Sequence, residues 1–208
     1  GPFQRSIFDI LSSSGCHVGS IGPSSNVFNS TVHIESDVRN INFIAEKMRE
    51  TDYTPQFIFT SQTDVTVYPT AQLNKIFNCS QWNLKASQIF TNKGLVRDLN
   101  ETSQILKNPY YEIIDVDLLS NPKYFEATFP FVLKPISLQS SLGLLKVECG
   151  EKIDYNKYIA MLSKLSVKQV IKEKLVSGVE YTIEGYKHKN GLHEILCVSE
   201  KEKLIGFG

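Results

Sequence analysis

Apolar residues in the first third of the chain alternate between helical spacing and short runs of strand length. Ile7, Phe8, Ile10 and Leu11 share one face of a helix over 6–14, which Gly15 ends. Residues 16–21 and 32–34 read as short strands, with a turn at 22–26 after the first. Asp37 is placed to cap a helix carrying Ile41, Ile44, Ala45 and Met48. Phe57, Ile58 and Phe59 form a run suited to a buried strand. It opens into the polar loop Thr60, Ser61, Gln62, Thr63 and Asp64, and helical spacing returns over 67–77. This order of helix, strand, helix, strand, helix predicts a Rossmann-like parallel α/β layer without a strand ahead of its first helix.

Further on, 86–101 predicts one helix with Leu95, Val96 and Leu99 on a side. Lys93 and Arg97 lie one turn apart there and read as a solvated face. A strand over 110–116, a turn at Asn121-Pro122, a helix over 154–165 and a strand over 167–176 follow. Ser177-Gly178 turns into a hairpin of 180–186 and 193–198 about Lys189-Asn190-Gly191. The densest pattern is 129–147. An apolar run, 131–133, delivers Lys134 and stops at Pro135. Ser137, Gln139, Ser140, Ser141 and Gly143 come next, then a second apolar run over 144–147. Strand, small-residue loop, strand lets backbone amides approach an anion, with Gly143 free to take positive φ and Lys134 in reach of a phosphate. An ordinary hairpin with a solvated lysine has the same pattern, and the Gly-Lys-Ser/Thr of a P-loop is absent.

Composition narrows the picture. The 208 residues are 41% hydrophobic and 21% charged, ordinary for a soluble globular protein of one large or two small domains. Lys+Arg and Asp+Glu are 22 each, so the formal charge is zero. That argues against a broad nucleic-acid surface or an anionic-membrane anchor, and leaves room for a local basic pocket. Cys16, Cys79, Cys149 and Cys197 lie too far apart in sequence for a zinc motif, and their apolar neighbours predict buried, reduced thiols of a cytoplasmic protein. His17, His33, His188 and His193 are dispersed and read as structural or solvated. No stretch is long and apolar enough to span a membrane, and no signal peptide is visible. Gly1-Pro2 without an initiator Met reads as a scar of tag removal, with the natural N-terminus expected upstream.

Taken in order, four pieces resemble the ATP-grasp superfamily, in the style of carboxylate–amine ligases and the carbamoyl-phosphate synthase group. The first, 59–64 with Val67, Ala71 and Leu73, is similar to the last strand–loop–helix of the preceding pre-ATP-grasp domain. The second, 91–97, resembles the segment of the first ATP-binding lysine, here Lys93. In the third, Lys134 matches the second lysine, and Ser140, Ser141 and Gly143 match the loop over the triphosphate, which is usually richer in glycine. The fourth is 170–182. Glu173 matches the acceptor for the adenine amino group, Lys174 and Val176 the positions whose backbone reaches the ring edge, and Glu180 the ribose-binding acid.

The resemblance implies an α/β protein in three parts: a Rossmann-like pre-ATP-grasp layer (1–87), an α+β ATP-grasp lid subdomain (88–176) and the start of a second, incomplete subdomain (177–208). It implies ATP and Mg²⁺ as cofactors, small-molecule carboxylate and amine substrates, and no nucleic-acid or membrane partner. ATP would activate the carboxylate as an acyl phosphate for attack by the amine, with Lys93 and Lys134 on the α- and β-phosphates and the loop excluding water. The family's metal ligands, two acids and an asparagine, find no match after Glu180 and are expected beyond Gly208, so the 208 residues alone are expected to be inactive. A nucleotide-binding or regulatory module without catalysis is the alternative. No metal ligand or catalytic residue is assigned.

Overall fold

The computed structural model describes residues 2–23, 30–61, 63–79, 82–126, 128–188 and 190–202. Parts of two expected turns, 24–26 and Lys189, lie outside the described residues, as does Gln62 of the polar loop. Helix α1 (Pro2–Ser13) precedes strands β1 (Gly19–Gly22) and β2 (Val32–Glu35), which pair in parallel. Helices α2 (Ile41–Arg49) and α3 (Asp64–Ile76) follow, and Ile44, Ala45 and Leu73 form a small core against Ile21, Ile58 and Phe77. Asn40, rather than Asp37, caps α2, accepting from Phe43 N. Asp37 instead grips Arg39 two residues on, Arg39 Nη2 donating to Oδ2 at 2.6 Å, which holds its carboxyl down to about 2.

The expected strand at Phe57–Phe59 is not formed. Asn74 in α3 clamps the main chain of Ile58 instead, accepting its N–H at 3.2 Å and donating to its carbonyl at 2.6 Å. One amide side chain thus supplies the pairing that a neighbouring strand would give. Only Ile58 packs inward, while Phe57 and Phe59 stay exposed with their rings 5.7 Å apart.

The helix expected over 86–101 is two, α4 (Leu84–Phe90) and α5 (Lys93–Glu101). Thr91 Oγ1 donates to the Ser87 carbonyl at 2.8 Å and closes α4. Asn92 adopts an extended backbone and caps α5 by accepting from Leu95 N at 3.2 Å. An Asn cap outweighs continued apolar periodicity because it satisfies an amide the new helix leaves bare.

Strands β3 (Tyr111–Asp115), β4 (Phe131–Pro135), β5 (Leu145–Val147) and β6 (Gln169–Lys174) form an antiparallel sheet in the order β3-β6-β4-β5. Helix α6 (Tyr155–Lys164), capped by Asp154, joins β5 to β6 and packs on one face. Phe131, Leu133, Val147, Leu162 and Val170 are fully buried there and make the main core. Burial of each such side chain stabilises the fold by roughly 1.5–3 kcal/mol. The alternation of β4 therefore sends Phe131, Leu133 and Pro135 into the core and Val132 and Lys134 to the opposite face. Strands β7 (Tyr181–Lys187) and β8 (His193–Glu200) make a separate hairpin, with Ile183, Ile195 and Val198 exposed.

The expectation of buried thiols is corrected. Cys16, Cys149 and Cys197 are exposed and Cys79 is half-buried, all four free. Cys16 follows the end of α1, Cys149 sits in a turn, and the apolar neighbours of Cys197 belong to the uncovered hairpin. No described helix is long and apolar enough to cross a membrane.

Candidate functional site

On the sheet face away from the main core, Val132 of β4 lies opposite Glu173 of β6. Lys134, two residues on, projects from the same face and reaches Glu173, Nζ to Oε2 at 2.5 Å. Helix α5 brings Arg97 to the other oxygen, Nε to Oε1 at 2.7 Å. The Glu173 side chain is only 4% exposed. Burial pushes its carboxyl up, but the hydrogen bonds and charges of Arg97 and Lys134 outweigh burial and hold it below the ordinary carboxylate range. Glu173 is thus an ionised anchor shared by two cations.

Lys93 opens α5, one turn before Arg97. Its amide donates to the Ile136 carbonyl at 2.8 Å, and its ammonium donates to the Leu138 carbonyl. Burial pushes the Lys93 pKa down, the charge of Lys134 adds to this, and Asp64 and Glu173 oppose it. Two lysines from different elements therefore share one field, an arrangement that a bound anion relieves.

The loop over 136–144 runs past these lysines. Ser140 and Ser141 both take positive φ, 56° and 57°, and Leu142 N donates to the Gln139 carbonyl at 3.1 Å, the geometry of a type I′ turn. Gly143 has φ 75°, and a Cβ there would lie 2.7 Å from Pro135 Cγ. Its carbonyl accepts from the buried Tyr158 hydroxyl of α6 at 3.0 Å. The Gln139 side chain crosses to α3. It accepts from Asp64 N at 2.6 Å and donates to Thr63 Oγ1 at 3.2 Å. A cleft of about 280 Å³ lies between, with Asp64, Lys93, Lys134, Gln139, Ser140 and Ser141 among its walls and Leu138, Leu142 and Leu144 supplying apolar surface.

The structure brings Lys93, Lys134, Ser140 and Ser141 onto one cleft. Gly143 stands behind it, shaping the loop. Lys174 is exposed, and its N–H is taken by the Tyr110 carbonyl at 2.9 Å. Val176 is exposed just past the end of β6. Glu180 pairs with Lys201, Oε1 to Nζ at 2.7 Å, beside the β7–β8 hairpin, and is not among the walls of this cleft. Arg97 and Gln139 acquire parts that sequence reasoning did not give them. The signal for Arg97 was its place one turn after Lys93. The contact of Gln139 with Thr63 and Asp64 spans more than 70 residues and left no local pattern.

Among the described residues no group of three or more His, Cys, Asp or Glu could hold a metal, and Asp64 is the one acid on the cleft wall. This donor set does not fit Mg²⁺, which needs several oxygen ligands at fixed positions.

No family model matches the chain. Over 104 residues it is 29% identical to the D-alanine–D-alanine ligase of Helicobacter hepaticus (strain ATCC 51449 / 3B1), a match covering 46% of this chain and 29% of that protein. The L-amino acid ligase of Bacillus licheniformis superposes with a TM-score of 0.71 at 16% identity, over 97% of this chain and 48% of that one. The chain has the ATP-grasp fold. Another structure of this ATP-grasp type, the N5-carboxyaminoimidazole synthetase from Staphylococcus aureus complexed with ADP, superposes with a TM-score of 0.65 at 13% identity, over 96% of this chain and 52% of that one. The chain thus spans about half the length of these solved ATP-grasp proteins and under a third of the curated ligase.

Proposed function

We propose that the cleft between α5, β4 and the loop over 136–144 binds ATP, and that the chain is the nucleotide-binding part of an ATP-dependent ligase joining a carboxylate to an amine. The observation that carries this reading is the convergence of Lys93 and Lys134 on one cleft of an ATP-grasp fold. Two ammonium groups held close together repel each other and favour a polyanion. The ligase names of the similar proteins and the ADP complex among them support the same reading. In it the phosphates lie at Lys93 and Lys134, and the apolar walls of the cleft exclude water from an acyl phosphate that water would hydrolyse. Lys174 offers the base its carbonyl and Val176 its backbone just past the end of β6, and Glu180 offers the ribose a carboxylate.

Lysine acylation mapped by mass spectrometry, with and without ADP, tests the assignment. Saturating ADP is expected to protect Lys93 and Lys134 while an exposed lysine such as Lys85 stays reactive. Equal labelling of Lys93 and Lys134 in both samples would remove them from the site.

A further inference from the structure

Arg97 has no part among the nucleotide contacts proposed for Lys93 and Lys134. It is not on the cleft wall, yet it holds the carboxylate that holds Lys134. Glu173 has two oxygens, and they are divided, Oε1 to Arg97 and Oε2 to Lys134. Were Arg97 absent, both oxygens would be open to Lys134, and the flexible ammonium could settle on either. The pair would also be neutral, so its attraction for an anion in the cleft would fall. With Arg97 in place the three groups carry one net positive charge. Arg97 is itself braced from behind. Asn108 Nδ2 donates to the Arg97 carbonyl at 2.8 Å, and Asn108 Oδ1 accepts from Asn100 Nδ2 at 3.2 Å.

We infer that Arg97 is a positioning residue for phosphate binding: it occupies one oxygen of Glu173, so that the other aims Lys134 into the cleft and the group stays cationic. This rests on the nucleotide reading above. Its mark is selectivity for the phosphates. A residue that merely stabilised the fold would affect adenosine and ADP alike, because both need the same base pocket. A residue that acts through Lys134 affects ADP alone. Removing one unit charge about 10 Å from a phosphate, at the effective permittivity of a partly exposed site, corresponds to roughly a tenfold change in affinity.

The test is calorimetric titration of the chain and its Arg97→Gln variant with ADP and with adenosine, alongside carbon NMR of the Glu173 carboxyl. Arg97→Gln is expected to bind ADP about tenfold more weakly and adenosine within about twofold of wild type, and the Glu173 titration is expected to move up. Unchanged ADP affinity, an equal loss for both ligands, or an unmoved Glu173 titration overturns the inference. Should Arg97→Gln fail to fold, Arg97→Lys carries the test. It keeps the charge but not the rigid guanidinium fork, so ADP is expected to weaken by about threefold with adenosine unchanged, and undiminished ADP binding overturns the inference. A wild-type chain that binds neither ligand overturns the nucleotide reading, and this inference with it. A wild type that binds ADP and adenosine beside an Arg97→Gln indistinguishable from it overturns the inference alone.

Discussion

Glu173 sits in an environment that its sequence neighbours do not predict. Lys172 and Lys174 flank it, but β6 sends them to the opposite face. The Lys172 ammonium donates to the Tyr124 carbonyl at 2.8 Å and sits 4.4 Å from the Phe131 ring centroid. The partners of Glu173 come instead from β4 and α5. Lys134 was legible because strand alternation alone puts it on the face away from Phe131 and Leu133. Arg97 was legible only as a cation one turn after Lys93, because an i, i+4 pair on a helix cannot say which strand the helix will cover. The paired carboxylate also carries a pH signature. Its folded pKa is lowered, so its stabilisation is fully present above the unfolded value and is lost as pH falls through the folded one. Melting temperature followed from neutral pH into acid should fall for wild type below the ordinary carboxylate range. Glu173→Gln should lack that segment of the curve and be about 3 kcal/mol less stable at neutral pH, since two cations lose their shared anion. Parallel acid profiles for the two proteins would show that the ion pairs contribute nothing.

At the scale of elements, the loop over 136–144 owes its shape to three residues of positive φ, two of them serines. Ser140 and Ser141 have open space and a turn that tolerates them. Gly143 has neither alternative, because its carbonyl is held by Tyr158 and any Cβ meets Pro135. Gly143→Ala should therefore cost about 2 kcal/mol or more in denaturant unfolding, from the left-handed backbone and the forced contact together. A cost near zero would mean that the loop is not held as described. The strand–loop–strand reading needed only the local sequence, and β4 and β5 do pair as neighbours in one sheet. The strand expected at Phe57–Phe59 and the single helix over 86–101 failed for a common reason. In each, one asparagine side chain, Asn74 or Asn92, satisfies backbone groups more specifically than the apolar pattern could indicate.

Across the whole molecule, the N-terminal layer and the antiparallel sheet meet at the site. Gln139 of the loop binds Thr63 and Asp64 at the start of α3, while Lys93 holds the loop from α5. The cleft is thus assembled from segments spread over more than 70 residues, none of which forms it alone. The mixed α/β class was readable from the order of elements. The meeting of Asp64 with Lys93 and Lys134 was not, because it depends on how the elements stack. The central claim is that this meeting point binds the phosphates of an adenine nucleotide. Calorimetric titration of wild type and Lys134→Met with ATP tests it most directly. The account predicts that the substitution weakens binding by about 1.5–3 kcal/mol, the range of a charge-assisted hydrogen bond. Equal affinity in the two proteins would contradict it.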